Sequence, residues 1–492
     1  MIELIKPILP EMILFFGACL VLLLDVFQKF VDHLMNLSSV LLVLCIVAIV
    51  LGVPDGVYYH NLCVISMFTG LFKIALLTLA LFQFLATSFL MDKYALNKNE
   101  HSVMVLFLIV GACVMVSANH LMLLYVGMEI QALAAYTLVV MQRKSEYSAE
   151  AGVKYFILGS LASVLYLLGA SYLYGAYNTL YLHEIITAIK AGSTLGGLGS
   201  ILVVSAFLFK VGLFPFHQWV PDVYQGAPTP STSIISTLSK VTAVAVVLKL
   251  ICGLFYDNKS LDTRWIFSAI AILSMIVGAV VPIVQTHMKR FLGYSSIGHA
   301  GFMLMGIVNI HVVGVSSIIA YVLIYSLTLM MTLICLMSLK DKREPDEERN
   351  DLELSKLGGL SQVRPKHAFM LAVCFLSMAG MPPLIGFFPK LLILQYIINQ
   401  GQMLLTVFAI ITTVISLFYY LKIIKLMYID MPTKQSIGIS VNVNMRLLWV
   451  FIPAVIIQLL GCYIPILQTI YVQYVTPAAE TLIIGTNEKI YS

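Results

Sequence analysis

Apolar runs of about 20 residues or more recur from one end of this chain to the other, and they constrain the fold more than any other feature. An α-helix rises 1.5 Å per residue, so about 20 residues cross a hydrocarbon core of about 30 Å. Barrel strands are about half that long and alternate in polarity. The runs therefore predict an all-α polytopic membrane protein. Composition agrees, with 60% hydrophobic and 11% charged residues, against roughly half and one quarter in a soluble domain. So few charges cannot solvate the surface of a soluble enzyme or bind nucleic acid.

About fourteen spans are expected, near residues 8–29, 34–53, 71–90, 102–118, 121–142, 151–176, 197–219, 231–254, 265–284, 290–310, 314–339, 367–398, 402–429 and 446–468. The first is long enough to span and no small-residue cleavage site follows, so it reads as a retained helix. Lys340–Lys366, with the run KDKREPDEERND, reads as a solvated loop. Odd-numbered loops carry Lys29, Lys93, Lys98, Arg143, Lys144, Lys289, Arg290, the basic residues of Lys340–Lys366, Lys434 and Arg446. Even-numbered loops carry only Lys190, Lys259 and Arg264. The positive-inside rule then turns the odd loops to the cytoplasm or matrix and both termini to the other side.

No redox centre is expected in this chain. Its eight cysteines are scattered without a CxxC, which argues against an Fe–S cluster or a disulfide framework. GxGxxG, Walker A and HExxH motifs are absent. Among the histidines only His299 is placed well inside a span, so no pair is expected to hold haem.

An internal repeat is visible in LFKVGLFPFHQW and SMAGMPPLIGFFPK. Gly212 and Pro215 recur as Gly380 and Pro383, 168 residues on. Five spans separate the copies, so the second must enter the membrane inverted. Inverted repeats with an interrupted helix in each half are a transporter signature.

Charges inside the spans sharpen this reading, because each costs about 2.5–3.5 kcal/mol at the bilayer centre. Glu129, Lys210, Lys240 and Lys390 lie well inside spans, and Lys154 lies near an inner edge. Lys73, Lys249 and Asp25 are close enough to edges to snorkel, and Lys154 is open to both readings. For the deeper residues the alternatives are a static ion pair and a proton relay. His299 fits a helix–helix hydrogen bond as well as a relay. Prolines lie near two of the lysines: Pro215 frees the Val211 carbonyl, Pro389 that of Ile385, and Pro382 and Pro383 those of Met378 and Ala379. Free carbonyls at membrane depth imply a polar, hydrated pocket beside a lysine in each half. Burial disfavours an ammonium and a nearby carboxylate favours it. Switching that balance by about three pH units is worth roughly 4 kcal/mol. Moving a proton against about 150 mV needs about 3.5 kcal/mol.

MEIQALAAYTLV, EAGVKYFILGSLAS, FKVGLFPFHQWVPDVYQGAPTPSTSIISTLSK and MKRFLGYSSIGHAGF, in this order along the chain, resemble the antiporter-like subunits of respiratory complex I. The resemblance covers roughly residues 100–430. It implies fourteen helices, two inverted five-helix repeats and interrupted helices seven and twelve. The implied divisions are 1–95 (three helices), 96–255 and 256–430 (the repeats) and 431–492 (helix fourteen and a tail). It implies proton translocation coupled to quinone reduction elsewhere, with Glu129, Lys154, Lys210, Lys240 and Lys390 in the family's relay positions and His299 added to that relay on the residue reading. NADH, FMN, Fe–S clusters and ubiquinone would then be bound by other subunits. The expected partners are other membrane-arm subunits, including another antiporter-like one, with lipids and protons. A multisubunit sodium/proton antiporter, a chloroplast relative and a non-pumping structural subunit are the alternatives. Abundant Ile, Lys, Asn and Tyr point to an AT-rich genome, which favours a mitochondrial inner membrane over a bacterial plasma membrane.

Overall fold

The structure is a computed structural model and describes residues 6–26, 34–52, 54–88, 90–91, 96–256, 263–339, 353–432, 455–459 and 464–485. Each of the first thirteen expected spans is occupied by helix. In order these are α1 (Leu9–Val26), α2 (Leu34–Val50), α3 (Met67–Thr87), α4 (Lys98–Ser117), α5 (Leu121–Val139), α6 (Glu146–Tyr177), a short α7 (Leu182–Ala188), α8 (Thr194–Val211) and α9 (Trp219–Gly226). They continue as α10 (Thr229–Phe255), α11 (Arg264–Val280), α12 (Met288–Met305), α13 (Val312–Ser338), α14 (Pro365–Ala379), α15 (Phe387–Asn399) and α16 (Met403–Tyr428). Most of the expected fourteenth span, 446–468, lies outside the described residues, as does most of the basic loop. A helix not anticipated there, α17 (Thr476–Gly485), follows a π-turn over Tyr471–Val475. It packs on α13 and α3, where Thr481 Oγ1 accepts from the Phe68 amide.

Helix starts are set by side-chain caps. Ser66 and Thr69 form a capping box that starts α3 four residues before the first residue of its apolar run. Ser145 caps α6, which ends on left-handed Asn178. The helices form one bundle. Both α10 and α13 are almost wholly buried at its centre, whereas α6 and α16 present Phe156, Ile157, Val164, Ile411, Val414 and Phe418 outward as lipid-facing surface.

Loop contacts sort into two ends. Arg143 pairs with Glu100, Lys289 donates to the Ala227 carbonyl, Leu354 N donates to Thr286 O, and Gly359 N donates to Leu426 O. All these join odd-numbered loops. At the opposite end, Asn119 donates from its amide to Leu62 O and shares a 3.0 Å contact with His183, and Tyr396 donates to Asn309 O. A hairpin of β1 (Gly56–Tyr58) and β2 (Cys63–Ile65) covers that end. The basic loops therefore meet at one face, as the charge pattern requires.

Candidate functional site

Spans seven and twelve are interrupted, and the two breaks share one backbone device. The helix α8 ends at Val211 with Gly212 at φ +83, and α14 ends at Ala379 with Gly380 at φ +80. Leu213 N donates back to Leu208 O in the first, and Met381 N to Leu376 O in the second, each at 3.1 Å. This is a Schellman ending, which needs a left-handed residue and so favours glycine. Each is followed at the third residue by a cis-proline, Pro215 and Pro383. The prolines were expected to interrupt the helices by removing donors. In fact both helices have already ended at the glycines.

In the second half the side chain of Lys390, buried in the first turn of α15, lies back across the break. Its Nζ donates to Met378 O at 2.9 Å and Ala379 O at 2.8 Å. These are the two carbonyls expected to be free, left so by the helix end. Gly380 makes room: a Cβ there would stand 2.6 Å from Lys390 Cδ. Lys390 and His299 jointly line a cavity of about 30 Å³, with Ser295, Ser416 and Thr413 on its wall. That is room for about two water molecules.

His299, on α12, is held on both sides. Nδ1 lies 2.9 Å from the Tyr321 hydroxyl and Nε2 3.2 Å from that of Tyr420. Lys240, on α10, donates to Ser296 O at 3.3 Å, one turn from His299, and its ammonium stands 5.9 Å from the Tyr325 ring centroid. The Tyr325 ring is 4.4 Å from the imidazole. A π-helical turn, Ile235–Ser239, precedes Lys240 and has no evident signal in the sequence. Lys240, His299 and Lys390 thus form one polar line from the last helix of the first half into the second half of the bundle.

The first half is arranged differently. Lys210 lies in the last turn of α8, before the break, and no hydrogen bond or ion pair to its ammonium is found among the described residues. Glu129 is near enough for its charge to act on Lys210 but forms no ion pair with it within 4.0 Å. Instead it accepts from Ser163 Oγ at 2.5 Å. The static ion-pair alternative is therefore not formed between these two residues. Lys154 pairs with Glu150 at 2.8 Å and Asp222 at 2.9 Å, and Asp222 also takes Arg290 at 2.6 Å. Asp222 was missed by the sequence reading, although it stands ten residues after Gly212, as Lys390 stands ten after Gly380. No hydrogen bond joins Lys210 to Lys240 among the described residues.

One edge assignment changes. Lys73 does not snorkel: it is 4% exposed and pairs with Glu11 at 2.5 Å. Lys249 stays near its edge and donates to carbonyls at the C-terminal end of α4, those of Val116, at 3.2 Å, and Ala118. Asp25 accepts from Asn99 Nδ2 at 2.6 Å. His101, fully buried, lies in the first turn of α4.

Two glycine-capped interruptions, each with a mid-span lysine beside it, define a polytopic membrane protein of antiporter-like build. The family described as NADH:quinone oxidoreductase/Mrp antiporter, transmembrane, matches residues 118–416. Subunit N of NADH-quinone oxidoreductase from Parvibaculum lavamentivorans is 35% identical over 431 residues, covering 86% of this chain and 88% of the relative. That of Nitrosomonas europaea is 37% identical over 469 residues, covering 89% and 93%. A chain of respiratory complex I from Thermus thermophilus superposes with a TM-score of 0.75 at 25% identity, covering 94% of this chain and 98% of that one. A chain of the Mrp complex from Dietzia sp. reaches 0.82 at 18% identity, covering 100% and 99%, a likeness of fold alone. The chain belongs to the NADH-quinone oxidoreductase subunit N family.

Proposed function

We propose that this chain is a membrane-arm subunit of a bacterial NADH:quinone oxidoreductase and moves protons through a line of buried side chains at mid-membrane depth. The Lys240–His299–Lys390 line carries this reading. A neutral imidazole has one donor and one acceptor nitrogen. Held between Tyr321 and Tyr420, His299 takes a proton at one nitrogen and releases one from the other. The small cavity it shares with Lys390 gives water a place to complete the transfer. Lys240 and Lys390 have backbone carbonyls as their hydrogen-bond acceptors, so neither is locked as an ammonium by an ion pair. In the first half, Lys210 is the proton carrier, Glu129 acts on it through space, and Lys154 is held towards the basic face by Asp222.

The matching breaks support two repeats within 96–255 and 256–430. NADH, FMN, Fe–S clusters and quinone are assigned to other subunits, and the lipid-facing helices leave surface for a neighbouring antiporter-like subunit. The subunit N relatives named above are bacterial, so a bacterial plasma membrane replaces the mitochondrial preference. Base composition reports the genome, not the compartment.

Proton pumping by the assembled complex in membrane vesicles tests the reading. Lys210→Ala, Lys240→Arg and Lys390→Ala complexes should assemble and lose coupled pumping and quinone reduction. Arginine is included because guanidinium does not deprotonate in proteins. Normal proton-to-electron ratios in all three would leave a structural spacer as the better account.

A further inference from the structure

A cavity of about 550 Å³ opens at the end of the bundle that carries the β1–β2 hairpin, away from the Lys240–His299–Lys390 line. Its wall is drawn from the turn before α1, the end of α2, the first turns of α3, Leu323 of α13 and Tyr474 of the π-turn. Such a volume falls in the range of about 300–1,000 Å³ for small-molecule sites. The wall changes character with depth. At the mouth stand the exposed Lys6 and Asp55, and deeper in, Leu71, Ile74 and Leu323 make it apolar. From Ser66 to Ala75 the cavity follows α3 for about 13 Å, close to half of a hydrocarbon core of about 30 Å. Lys73 also lines it, but the charge of Lys73 is matched by Glu11 at 2.5 Å. Neither Lys6 nor Asp55 has a hydrogen bond or ion pair among the described residues, so the mouth keeps one cation and one anion without partners. Gly70 lines the cavity as well, and a Cβ built there would meet nothing within 4 Å. Glycine is a poor helix former, and no neighbouring atom of the chain requires one here. Its effect is to widen the cavity.

We infer that this cavity binds one chain of a phospholipid whose headgroup joins a phosphate to a primary ammonium, as in phosphatidylethanolamine. It opens where the helices begin and end, at the level of the headgroup layer, so a bilayer lipid reaches it without crossing water. The phosphate pairs with the Lys6 ammonium, and the headgroup ammonium donates to the Asp55 carboxylate. A headgroup with a negative charge alone brings no cation to Asp55, and a trimethylammonium has no N–H to donate. The acyl chain lies along Leu71, Ile74 and Leu323 in the space that Gly70 leaves, and the second chain stays in the bilayer. One lipid held in this way ties α1 and α2 to α3, α13 and the π-turn. The inference does not depend on the proton-translocating reading.

The test uses the assembled complex in vesicles that contain phosphatidylethanolamine with a photoreactive diazirine in its acyl chain, and reads the labelled peptides by mass spectrometry. Unlabelled phosphatidylethanolamine should compete for labelling of residues 65–75 about fivefold better than phosphatidylcholine or phosphatidylglycerol, the scale of an exposed ion pair. Equal competition by all three overturns the inference and leaves an annular lipid only. Asp55→Lys puts two cations at the mouth and should turn the preference to phosphatidylglycerol. An unchanged preference in that variant removes Asp55 from the site and overturns the headgroup assignment. Gly70→Trp fills the cavity from a position with open space around its Cβ. It should abolish most labelling of residues 65–75 while the lipid-facing side of α6 stays labelled. Undiminished labelling in Gly70→Trp would show that the chain lies outside the cavity. The competition in the unmodified complex decides the matter whether or not either variant assembles.

Discussion

The two interrupted helices use the same backbone ending and load it with opposite chemistry. After Gly380 the tenth residue is Lys390, which reaches back to the open carbonyls of α14. After Gly212 the tenth residue is Asp222, which reaches away to Lys154 and Arg290. The mid-span lysine of the first half, Lys210, comes before its break instead. Shared backbone geometry therefore does not imply equivalent residues. The second half holds its lysine by dipoles, which leave the amine free to lose a proton. The first half uses an anion to tie its ion-pair network to the basic face.

The largest effect should come from Lys390→Ala, which removes the cation that sits on the α14 carbonyls. Proton transfer should fall by about 100-fold, the scale of losing a general acid–base group, measured as pumping by assembled complex. A decrease no larger than for Lys154→Ala would break the contrast.

Gly380→Ala should come next. The new methyl meets Lys390 Cδ at 2.6 Å, so it both strains a left-handed position by about 1–2 kcal/mol and displaces the lysine. Gly212→Ala meets Val220 Cγ2 at 2.5 Å and touches no charged group. Thermal stability of the purified complex should fall by similar amounts in the two, while pumping falls further in Gly380→Ala. Equal pumping would show that the second glycine serves only the turn.

Tyr420→Phe removes one of the two hydroxyls on His299. Loss of that bond should cost about 1 kcal/mol and slow coupled turnover about fivefold, read by steady-state quinone reduction. The smallest effect belongs to Lys154→Ala. Its side chain is 43% exposed and Asp222 keeps Arg290, so turnover should change less than about threefold, as for a partly exposed pair. A larger loss would move Lys154 from the ion-pair network into the relay.

Local composition determined a great deal. Helix lengths, the two-ended sorting of loops, the positions of both breaks and the deep placement of Lys240, Lys390 and His299 are all legible in the chain. The membrane makes them so, because backbone must close its hydrogen bonds within each helix and every buried charge stands out against apolar neighbours. Partner choice was not legible. Glu129 lies on Ser163, Lys73 on Glu11 and Asp222 between two cations because of how helices distant in sequence pack, and a periodicity carries no record of that. Lys249 sits near an edge by residue count, and its partners there are carbonyls that the end of α4 leaves unpaired. Depth in the bilayer follows from the count of apolar residues, whereas the atom that each buried charge meets is decided only when the helices come together.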